Sequence, residues 1–251
     1  MINELKLAKK VSSGVVELLR KNFINDAGII HSNGKDIKTD ADLAANDYIY
    51  DNLLTTGIKI FSEESNDKSF NINENQWIVD PIDGTLNFSR GFGLAAVSIA
   101  LWDNGIPLLG VVNNIFLDEL FWSSKEGGSF RNQKRINVSS VSKSENAVIC
   151  TGFPIEINYS NKSLSDFVMK VKRYKKVRIL GSASLMLAYV ACGYFDVYME
   201  DNIYIWDVAA GLSLIDEARG RYFKNPGNSL LTFDVKASNS LLNDNSCDIV
   251  C

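Results

Sequence analysis

The chain has 251 residues, of which 46% are hydrophobic and 22% charged, and its formal net charge is -4. This length suffices for one large domain or two packed lobes around a substantial core. The acidic balance provides no basic surface of the kind that nucleic-acid binders carry, so a nucleic acid is not an expected partner.

The sequence shows no sign of export or membrane attachment. The N-terminal M-I-N-E-L-K-L-A-K-K lacks the uninterrupted apolar core of a signal peptide. The longest apolar stretch, around Phe92 to Trp102, is shorter than the roughly 18 residues that span a bilayer. Four cysteines without zinc-ligand spacing, beside a single histidine, are typical of thiols in a reducing compartment. The prediction is therefore a cytoplasmic protein.

The first half of the chain shows two helical patterns followed by strand-like runs. Apolar residues recur at intervals of three and four from Leu5 to Phe23. A second helix is predicted from Thr39 to Leu54, with Thr39 or Asp40 as its cap. After Gly57, short apolar runs predict a largely antiparallel sheet. These strands are predicted at Ile58–Phe61, Trp77–Val79, Leu94–Trp102, Leu108–Val112 and Glu119–Trp122.

In the second half, predicted strands alternate with predicted helices, a pattern that favours a sheet layered between helices. The whole chain therefore reads as α/β or α+β, with one lobe at residues 1–138 and another at 139–251. The predicted strands are Ala147–Thr151, Val177–Leu180 and Asp196–Met199, and the predicted helices are Ser163–Tyr174, Ser182–Cys192 and Trp206–Arg219.

One buried strand ends in two carboxylates, in the segment W-I-V-D-P-I-D-G-T-L-N. Asp80 closes the strand, Pro81 stiffens the turn, and Asp83 returns to the same side. Burying an ionised carboxylate alone costs on the order of several kcal/mol, so the pair needs a cation or strong donors. Gly84 and Thr85 then offer free backbone N–H groups where a helix could begin, which suits phosphate oxygens.

Three further segments place carboxylates beside apolar strands or helix starts. They are D-I-K-T-D-A-D at Asp36 to Asp42, F-S-E-E-S with Glu63 and Glu64, and W-D-V-A-A-G with Asp207. A Glu-Glu pair by itself is usually just solvated. Magnesium, however, prefers carboxylate, carbonyl and water oxygens. A dinuclear magnesium site facing a phosphate would account for every residue of D-P-I-D-G-T.

These motifs resemble the inositol monophosphatase family of magnesium-dependent, lithium-sensitive phosphatases. The resemblance covers nearly the whole chain, through S-E-E-S, W-I-V-D-P-I-D-G-T-L-N-F, V-R-I-L-G-S-A and I-W-D-V-A-A-G-L-S-L-I-D-E-A-R-G. The paired motifs D-P-I-D-G-T-x-N-F and W-D-x-A-A-G are highly specific when they occur in this order. The resemblance implies the layered αβαβα sandwich of the sugar phosphatase superfamily.

The resemblance also implies roles for individual residues. Glu63 matches a glutamate that binds metal and helps to activate water, Thr85 matches the threonine that hydrogen-bonds the attacking water, and Asp42 matches the aspartate that orients it. The implied metal ligands are Glu63, Asp80, the carbonyl of Ile82, Asp83 and Asp207. The implied substrate-binding residues are Ile82, Asp83, Gly84, Thr85, Gly181, Ser182, Ala183, Glu200 and Asp207, with Arg178 nearby.

The implied function is hydrolysis of inositol monophosphate by in-line attack of water at two Mg²⁺ ions, with a third, weaker metal site left open. The implied partners are a phosphorylated polyol or sugar and a second copy of the chain in a homodimer. L-N-F after Thr85 favours inositol monophosphatases over bisphosphate nucleotidases and histidinol phosphatases. Activity on fructose 1,6-bisphosphate, 3′-phosphoadenosine 5′-phosphate or histidinol phosphate remains an alternative, as does a non-catalytic regulatory protein.

The chain departs from the family pattern at three places. Ser62 stands where the family commonly has glycine, and Gly93 where it commonly has proline. Lys35 directly precedes Asp36, whereas the family's lysine lies a few residues earlier. These changes leave the implied metal ligands intact, and they concern loop closure and the third metal site.

Overall fold

A computed structural model of the chain describes residues 1–24, 29–33, 36–65, 69–153 and 160–242, without the side chains of 29–33, 36 and 37. Within these residues, none of the helices combines the length and the apolar character that a membrane span requires. The structure contains two sheets, described below. The polar segment that follows Ile136 connects the part of the chain that forms the first sheet to the part that forms the second.

Two helices form the first layer. Helix α1 (Ile2–Asn22) buries one apolar stripe, and helix α2 (Asp40–Leu53) packs beside it. A capping box starts α2, because the Thr39 hydroxyl accepts from the Asp42 amide and the Asp42 carboxylate accepts from the Thr39 amide. The predicted helices and the predicted Thr39 cap are confirmed. Between them lies an antiparallel pair that the sequence did not predict, β1 (Ile29–Asn33) and β2 (Asp36–Thr39).

The second layer is a seven-stranded sheet in which the strands follow chain order from β3 to β9. Strands β3 and β4 are parallel and all other neighbours are antiparallel, as the sequence predicted for most of this region. The strands are β3 (Lys59–Ser62), β4 (Gln76–Asp83), β5 (Ala96–Asp103), β6 (Ile106–Asn114), β7 (Leu120–Ser124), β8 (Gly128–Arg131) and β9 (Lys134–Ile136).

Strand β4 is buried along its whole length because helices cover both faces of the sheet. Trp77 and Val79 pack into the apolar cluster formed with α1 and α2. Ile78 points to the opposite face, as alternation along a strand requires, and joins a second cluster. A strand buried on both faces gives the functional side chains at its end a rigid support.

The second cluster lies between the two sheets and is filled by two central helices, α5 (Ala183–Ala191) and α6 (Ile205–Glu217). Every residue of α5 is buried. A short helix, α3 (Thr85–Ser89), follows β4 at the point where the sequence predicted that a helix could begin. The Trp102 indole N–H donates to the Ala209 carbonyl at 3.2 Å, so α6 is also fixed to the seven-stranded sheet by a hydrogen bond.

The remaining layers are a five-stranded sheet of order β11-β10-β12-β14-β13 and an outer helix, α4 (Asn161–Val171). Strand β10 is parallel to β11 and β12, whereas β14 is antiparallel to β12 and β13. The strands are β10 (Val148–Thr151), β11 (Lys176–Arg178), β12 (Val197–Tyr204), β13 (Arg221–Pro226) and β14 (Thr232–Ser238).

The order of layers is therefore helix, sheet, helix, sheet, helix, and the predicted α/β fold with layered sheets and helices is confirmed. The sequence did not predict strands β8, β9, β13 and β14. The change from one sheet to the other falls between Ile136 and Val148. The division into lobes at 1–138 and 139–251 stays a prediction.

Candidate active site and metal centre

The end of β4 is shaped by an irregularity in its pairing with β5. Asp80 lies opposite Ser98 and Asp83 opposite Ala96, so β4 carries three steps where β5 carries two. Residues three apart on a regular strand point to opposite faces, and one extra residue brings them to the same side. Pro81 sits in this bulge, where its missing N–H costs no ladder hydrogen bond. The sequence expectation that Asp83 returns to the side of Asp80 follows from this geometry.

Asp207 joins the two aspartates from the first turn of α6. One carboxylate oxygen from each of Asp80, Asp83 and Asp207 lies within 4.8 Å of the others. Asp80 and Asp83 are buried, and Asp207 is partly buried. The start of a helix favours a negative side chain, which supports the position of Asp207.

The two aspartates of β4 differ in the hydrogen-bond donors that surround their carboxylates. Asp83 accepts from the Ser182 hydroxyl at 2.6 Å, from the Ser184 amide and hydroxyl at 2.7 and 2.5 Å, and from the Ala183 amide at 3.3 Å. The Asp83 carboxylate thus caps the N-terminus of α5. The Asp80 carboxylate is buried as well, and its backbone donor is the Ile82 amide at 3.0 Å.

Burial raises the pKa of Asp80 well above its usual range, and the charges of Glu63, Asp83 and Asp207 raise it further. Burial likewise raises the pKa of Asp207, again with Glu63 and Asp83 as charged neighbours. None of the ion pairs among the described residues involves Asp80, Asp83 or Asp207. Crowded oxygen ligands without cationic partners match the donor set of a hard divalent cation, so these residues fit a metal.

A second group of predicted residues lies beside this cluster. The Thr85 hydroxyl is 3.1 Å from Asp42 Oδ1 and 3.0 Å from the Ile82 carbonyl oxygen, so its one proton bonds to either acceptor. Burial raises the pKa of Asp42 to about 6, and hydrogen bonds from Thr39 oppose the shift. Glu63 follows β3 directly, and its amide donates to the Val79 carbonyl of β4 at 3.1 Å. The structure therefore brings Glu63, Asp42 and Thr85 to one end of β4.

Gly84 joins this end of β4 to the loop before α5. It has a φ of +89°, and a Cβ there would lie 2.9 Å from the Gly181 carbonyl oxygen. The amide of Asn87 bridges the same two regions, since its Nδ2 donates to the carbonyls of Leu94 and Leu180, each at 2.8 Å. A side chain at Gly84 would separate these loops, so the glycine of D-P-I-D-G-T is required by close approach as well as by its φ.

The implied substrate residues lie on the five-stranded side of the site. Ser182 caps α5 and Ala183 is its first residue. Glu200 projects from β12 and is 8% exposed. Burial raises the pKa of Glu200 to about 7, the hydrogen bond from Tyr198 lowers it, and the charge of Asp83 raises it. Arg178 is exposed on β11, where its guanidinium donates to the Val177 carbonyl.

Ser62, one of the departures from the family pattern, has a hydrogen-bond partner of its own. Its hydroxyl donates to Asn46 Oδ1 at 2.7 Å, which ties β3 to α2 directly before Glu63. Next to it, Glu64 forms an ion pair with Lys38 of β2. Gly93 has ordinary space around it, with the Phe116 Cβ 3.8 Å from where its own Cβ would be, and nothing in the structure explains the loss of proline there. Lys35 lies outside the described residues.

Sequence reasoning missed three residues that shape the site. Ser184 donates twice to Asp83, Asn87 joins α3 to the loop before α5, and Tyr198 donates to Glu200. A usable signal existed for Tyr198, because side chains two apart on a strand share a face. Ser184 and Asp83 are 101 residues apart in the sequence, so no local sequence pattern predicts the hydrogen bond between them.

Known proteins share both the sequence pattern and the fold of this chain. A model of the inositol monophosphatase family matches residues 3–248. The chain belongs to the inositol monophosphatase family. The predicted family and its enzyme class, the phosphoric monoester hydrolases, are thereby confirmed. The family is metal-dependent, and Asp80, Asp83 and Asp207 form a group that could bind a metal.

Individual relatives support the same assignment. An inositol-1-monophosphatase of Mesorhizobium japonicum is 39% identical over 188 residues, 74% of this chain and 71% of that protein. A fructose-1,6-bisphosphatase/inositol-1-monophosphatase of Thermotoga maritima is 34% identical, over 86% of this chain and 83% of that protein. The crystal structure of the extragenic suppressor protein SuhB from Bartonella henselae has a TM-score of 0.84 at 30% identity and covers 95% of both chains.

Proposed function

We propose that the protein hydrolyses inositol monophosphate, releasing inorganic phosphate by direct attack of water on phosphorus. The observation that carries the proposal is the cluster of Asp80, Asp83 and Asp207, whose oxygens lie within 4.8 Å of one another without a cationic partner in the described chain. Membership of the inositol monophosphatase family, with several relatives named inositol monophosphatases, supports this substrate class.

Magnesium is the proposed cofactor, because the donors are carboxylate and carbonyl oxygens. Glu63, Asp80, the Ile82 carbonyl, Asp83 and Asp207 would hold two ions, and a third site is left open. When bound, such ions neutralise the phosphate and lower the pKa of a coordinated water.

The chain's own residues supply orientation. Thr85 lies within hydrogen-bond distance of Asp42, so the pair is built to hold a water molecule beside the cluster and to accept its proton, with Glu63 as the third member. The Gly84 and Thr85 amides open α3, and the first N–H groups of a helix have no partner within it. In this proposal they bind the phosphate oxygens.

The polyol would bind across the site, against the start of α5 and β12. Gly181, Ser182 and Ala183 supply the wall on one side, and Glu200 supplies a carboxylate that can accept from hydroxyl groups. Fructose 1,6-bisphosphate is the second candidate substrate, because a relative at 34% identity carries both names.

The proposed oligomer is a homodimer, and the proposed location is the cytoplasm. Exposed apolar side chains of Leu86, Phe92 and Ile179 flank the loops that Asn87 joins, and they offer an apolar surface for a second copy. Light scattering of the purified protein measures its mass in solution. A monomer at micromolar concentration contradicts the dimer.

The test of the proposed function is hydrolysis of inositol 1-phosphate with and without Mg²⁺. The Asp83→Asn variant removes one charge from the cluster, and we expect turnover to fall by about 10³-fold, or roughly 4 kcal/mol of barrier. Because Asp83 also caps α5, thermal unfolding must show that the variant is folded. Asp103→Asn, at the far end of β5, is the matched control. Full activity in a folded Asp83→Asn variant contradicts the assignment.

A substrate panel separates the remaining alternatives. Turnover is compared on inositol 1-phosphate, fructose 1,6-bisphosphate, 3′-phosphoadenosine 5′-phosphate and histidinol phosphate at equal Mg²⁺. We expect the highest kcat/KM on inositol 1-phosphate. Binding of Mg²⁺ without phosphate release from any of the four would favour the alternative of a non-catalytic, regulatory protein.

A further inference from the structure

Tyr198 and Glu200 stand two residues apart on β12 and face the same side of the sheet. The Tyr198 hydroxyl donates to Glu200 Oε2 at 3.0 Å. Tyr198 has no exposed surface, and Glu200 has 8%. The buried Tyr198 hydroxyl therefore bonds to Oε2 of the Glu200 carboxylate and not to Oε1.

The neighbouring strand holds the same carboxylate from a second direction. Strands β10 and β12 are parallel with Thr151 opposite Met199, so Gly152 follows beside Glu200. A Cβ at Gly152 would lie 2.4 Å from Glu200 Oε1 and 2.7 Å from Oε2. The carboxylate therefore rests against the backbone of Gly152, in space that any other residue would fill.

This carboxylate stands next to the metal cluster without belonging to it. The charge of Asp83 raises the pKa of Glu200, and the charge of Glu200 raises the pKa of Asp207, which shows that the three groups are close. An ionised carboxylate can only accept hydrogen bonds. A hydroxyl group, which is neutral and has one O–H to donate, is therefore a suitable ligand for a single carboxylate in a fixed position.

We propose that Tyr198 is a positioning residue that, together with Gly152, fixes the Glu200 carboxylate to accept a hydroxyl group from the polyol part of the substrate. This inference rests on the proposed function and extends it to substrate selection. A carboxylate that is already oriented loses little conformational freedom when the polyol binds, so binding is tighter than to a mobile side chain. Tyr198 acts through Glu200 and touches no reacting atom.

The test compares Tyr198→Phe with Tyr189→Phe. Both changes remove a buried tyrosine hydroxyl that donates to a carboxylate at 3.0 Å, but Tyr189 bonds to Glu119, which has no role in the proposed site. Kinetics are measured on inositol 1-phosphate and on p-nitrophenyl phosphate, which has no polyol. Tyr198→Phe should raise KM for inositol 1-phosphate about tenfold, the equivalent of one hydrogen bond to a charged group. Its kinetics on p-nitrophenyl phosphate, and those of Tyr189→Phe on both substrates, should match the wild type.

A double variant adds a readout that a merely structural role would not produce. In the Glu200→Gln background, Tyr198→Phe should change KM for inositol 1-phosphate less than about twofold, because the two residues act as a unit. Should Tyr198→Phe fail to fold, Gly152→Ala displaces the same carboxylate and should produce the same selective rise in KM.

The outcomes distinguish this inference from the proposed function. A wild-type protein that hydrolyses inositol 1-phosphate, with an unchanged KM in folded Tyr198→Phe, overturns the positioning role alone. Equal losses on both substrates also overturn it, because they indicate general damage. A wild type that hydrolyses p-nitrophenyl phosphate but no polyol phosphate overturns both proposals.

Discussion

The two sheets bring carboxylates to the site in different electrostatic states. Asp80, at the end of the seven-stranded sheet, is buried among Glu63, Asp83 and Asp207, and its backbone donor is the Ile82 amide. Glu200, on the five-stranded sheet, lies beside that group and has a tyrosine hydroxyl as a hydrogen-bond donor of its own.

This contrast separates two kinds of recognition. Like charges with few donors are unfavourable in a folded protein, so protonation or a bound cation stabilises the crowded side. A single carboxylate with one strong donor is close to satisfied, and it has one further place for a neutral hydroxyl group. We therefore expect changes on the two sides to affect different measurements.

The largest expected effect comes from comparing Asp80→Asn with Glu200→Gln. Asp80→Asn should lower kcat by about 10³-fold and abolish stabilisation by Mg²⁺ in thermal unfolding, because it removes a charge from the proposed ion site. Glu200→Gln should keep the Mg²⁺ stabilisation and raise KM for inositol 1-phosphate.

The contrast breaks down if Glu200→Gln loses the Mg²⁺-dependent shift in melting temperature as completely as Asp80→Asn does. In that case Glu200 would belong to the ion site.

A somewhat smaller effect is expected at the proposed water-holding pair. Thr85→Val removes the hydroxyl that lies 3.1 Å from Asp42, and kcat should fall about 10²-fold with little change in KM. Thr85→Ser keeps the hydroxyl and should retain most of the activity. Stopped assays at saturating substrate measure kcat for both variants. Equal kcat values for Thr85→Val and Thr85→Ser would refute the role of the hydroxyl.

Local sequence patterns predicted most elements of both sheets, for a physical reason. Apolar periodicity reports which face is buried, so α1, α2 and the strands from β3 to β7 were all predicted close to their observed positions. Strand β13 was missed because R-Y-F-K-N-P carries charged and polar residues on a partly exposed strand and shows no clear alternation. Strand β14 was missed although T-F-D-V-K-A-S does alternate apolar with polar residues.

The site was predictable to the extent that its residues lie in short motifs. D-P-I-D-G-T contains the bulge, the two aspartates and the glycine, so this one segment predicted most of the residues around the carboxylate cluster. The donors to Asp83 from Ser182 and Ser184 depend on how α5 meets β4, about 100 residues away in the chain, and only tertiary structure supplies that contact.

Stability at different pH values offers a third test. Folding raises the pKa of Asp42 to about 6 and of Glu200 to about 7, and raises that of Asp80 as well. Raised carboxyl pKa values stabilise the fold when the groups are protonated, and this contribution is lost as pH rises from about 4 to about 7.

The metal-free protein in EDTA should therefore unfold more easily at pH 8 than at pH 5, as measured by chemical denaturation. Excess Mg²⁺ at pH 8 should restore the loss, and Asp80→Asn in EDTA should show a weaker pH dependence than the wild type. A metal-free protein that gains stability between pH 5 and pH 8 would contradict this account of the cluster.

The smallest expected effect concerns the contact that joins the two regions. Gly84 and Gly57 both have positive φ, +89° and +69°, but only Gly84 has close neighbours, since a Cβ added there would lie 2.9 Å from the Gly181 carbonyl oxygen. Alanine in such a conformation costs about 1 kcal/mol, so Gly57→Ala should lose roughly that much stability and Gly84→Ala more, because of this contact. Gly84→Ala should in addition push the loop before α5 away from β4 and lower kcat/KM about tenfold, whereas Gly57→Ala should keep full activity. Equal activity in the two variants would show that the spacing between the crowded carboxylates and the polyol side is not set at Gly84.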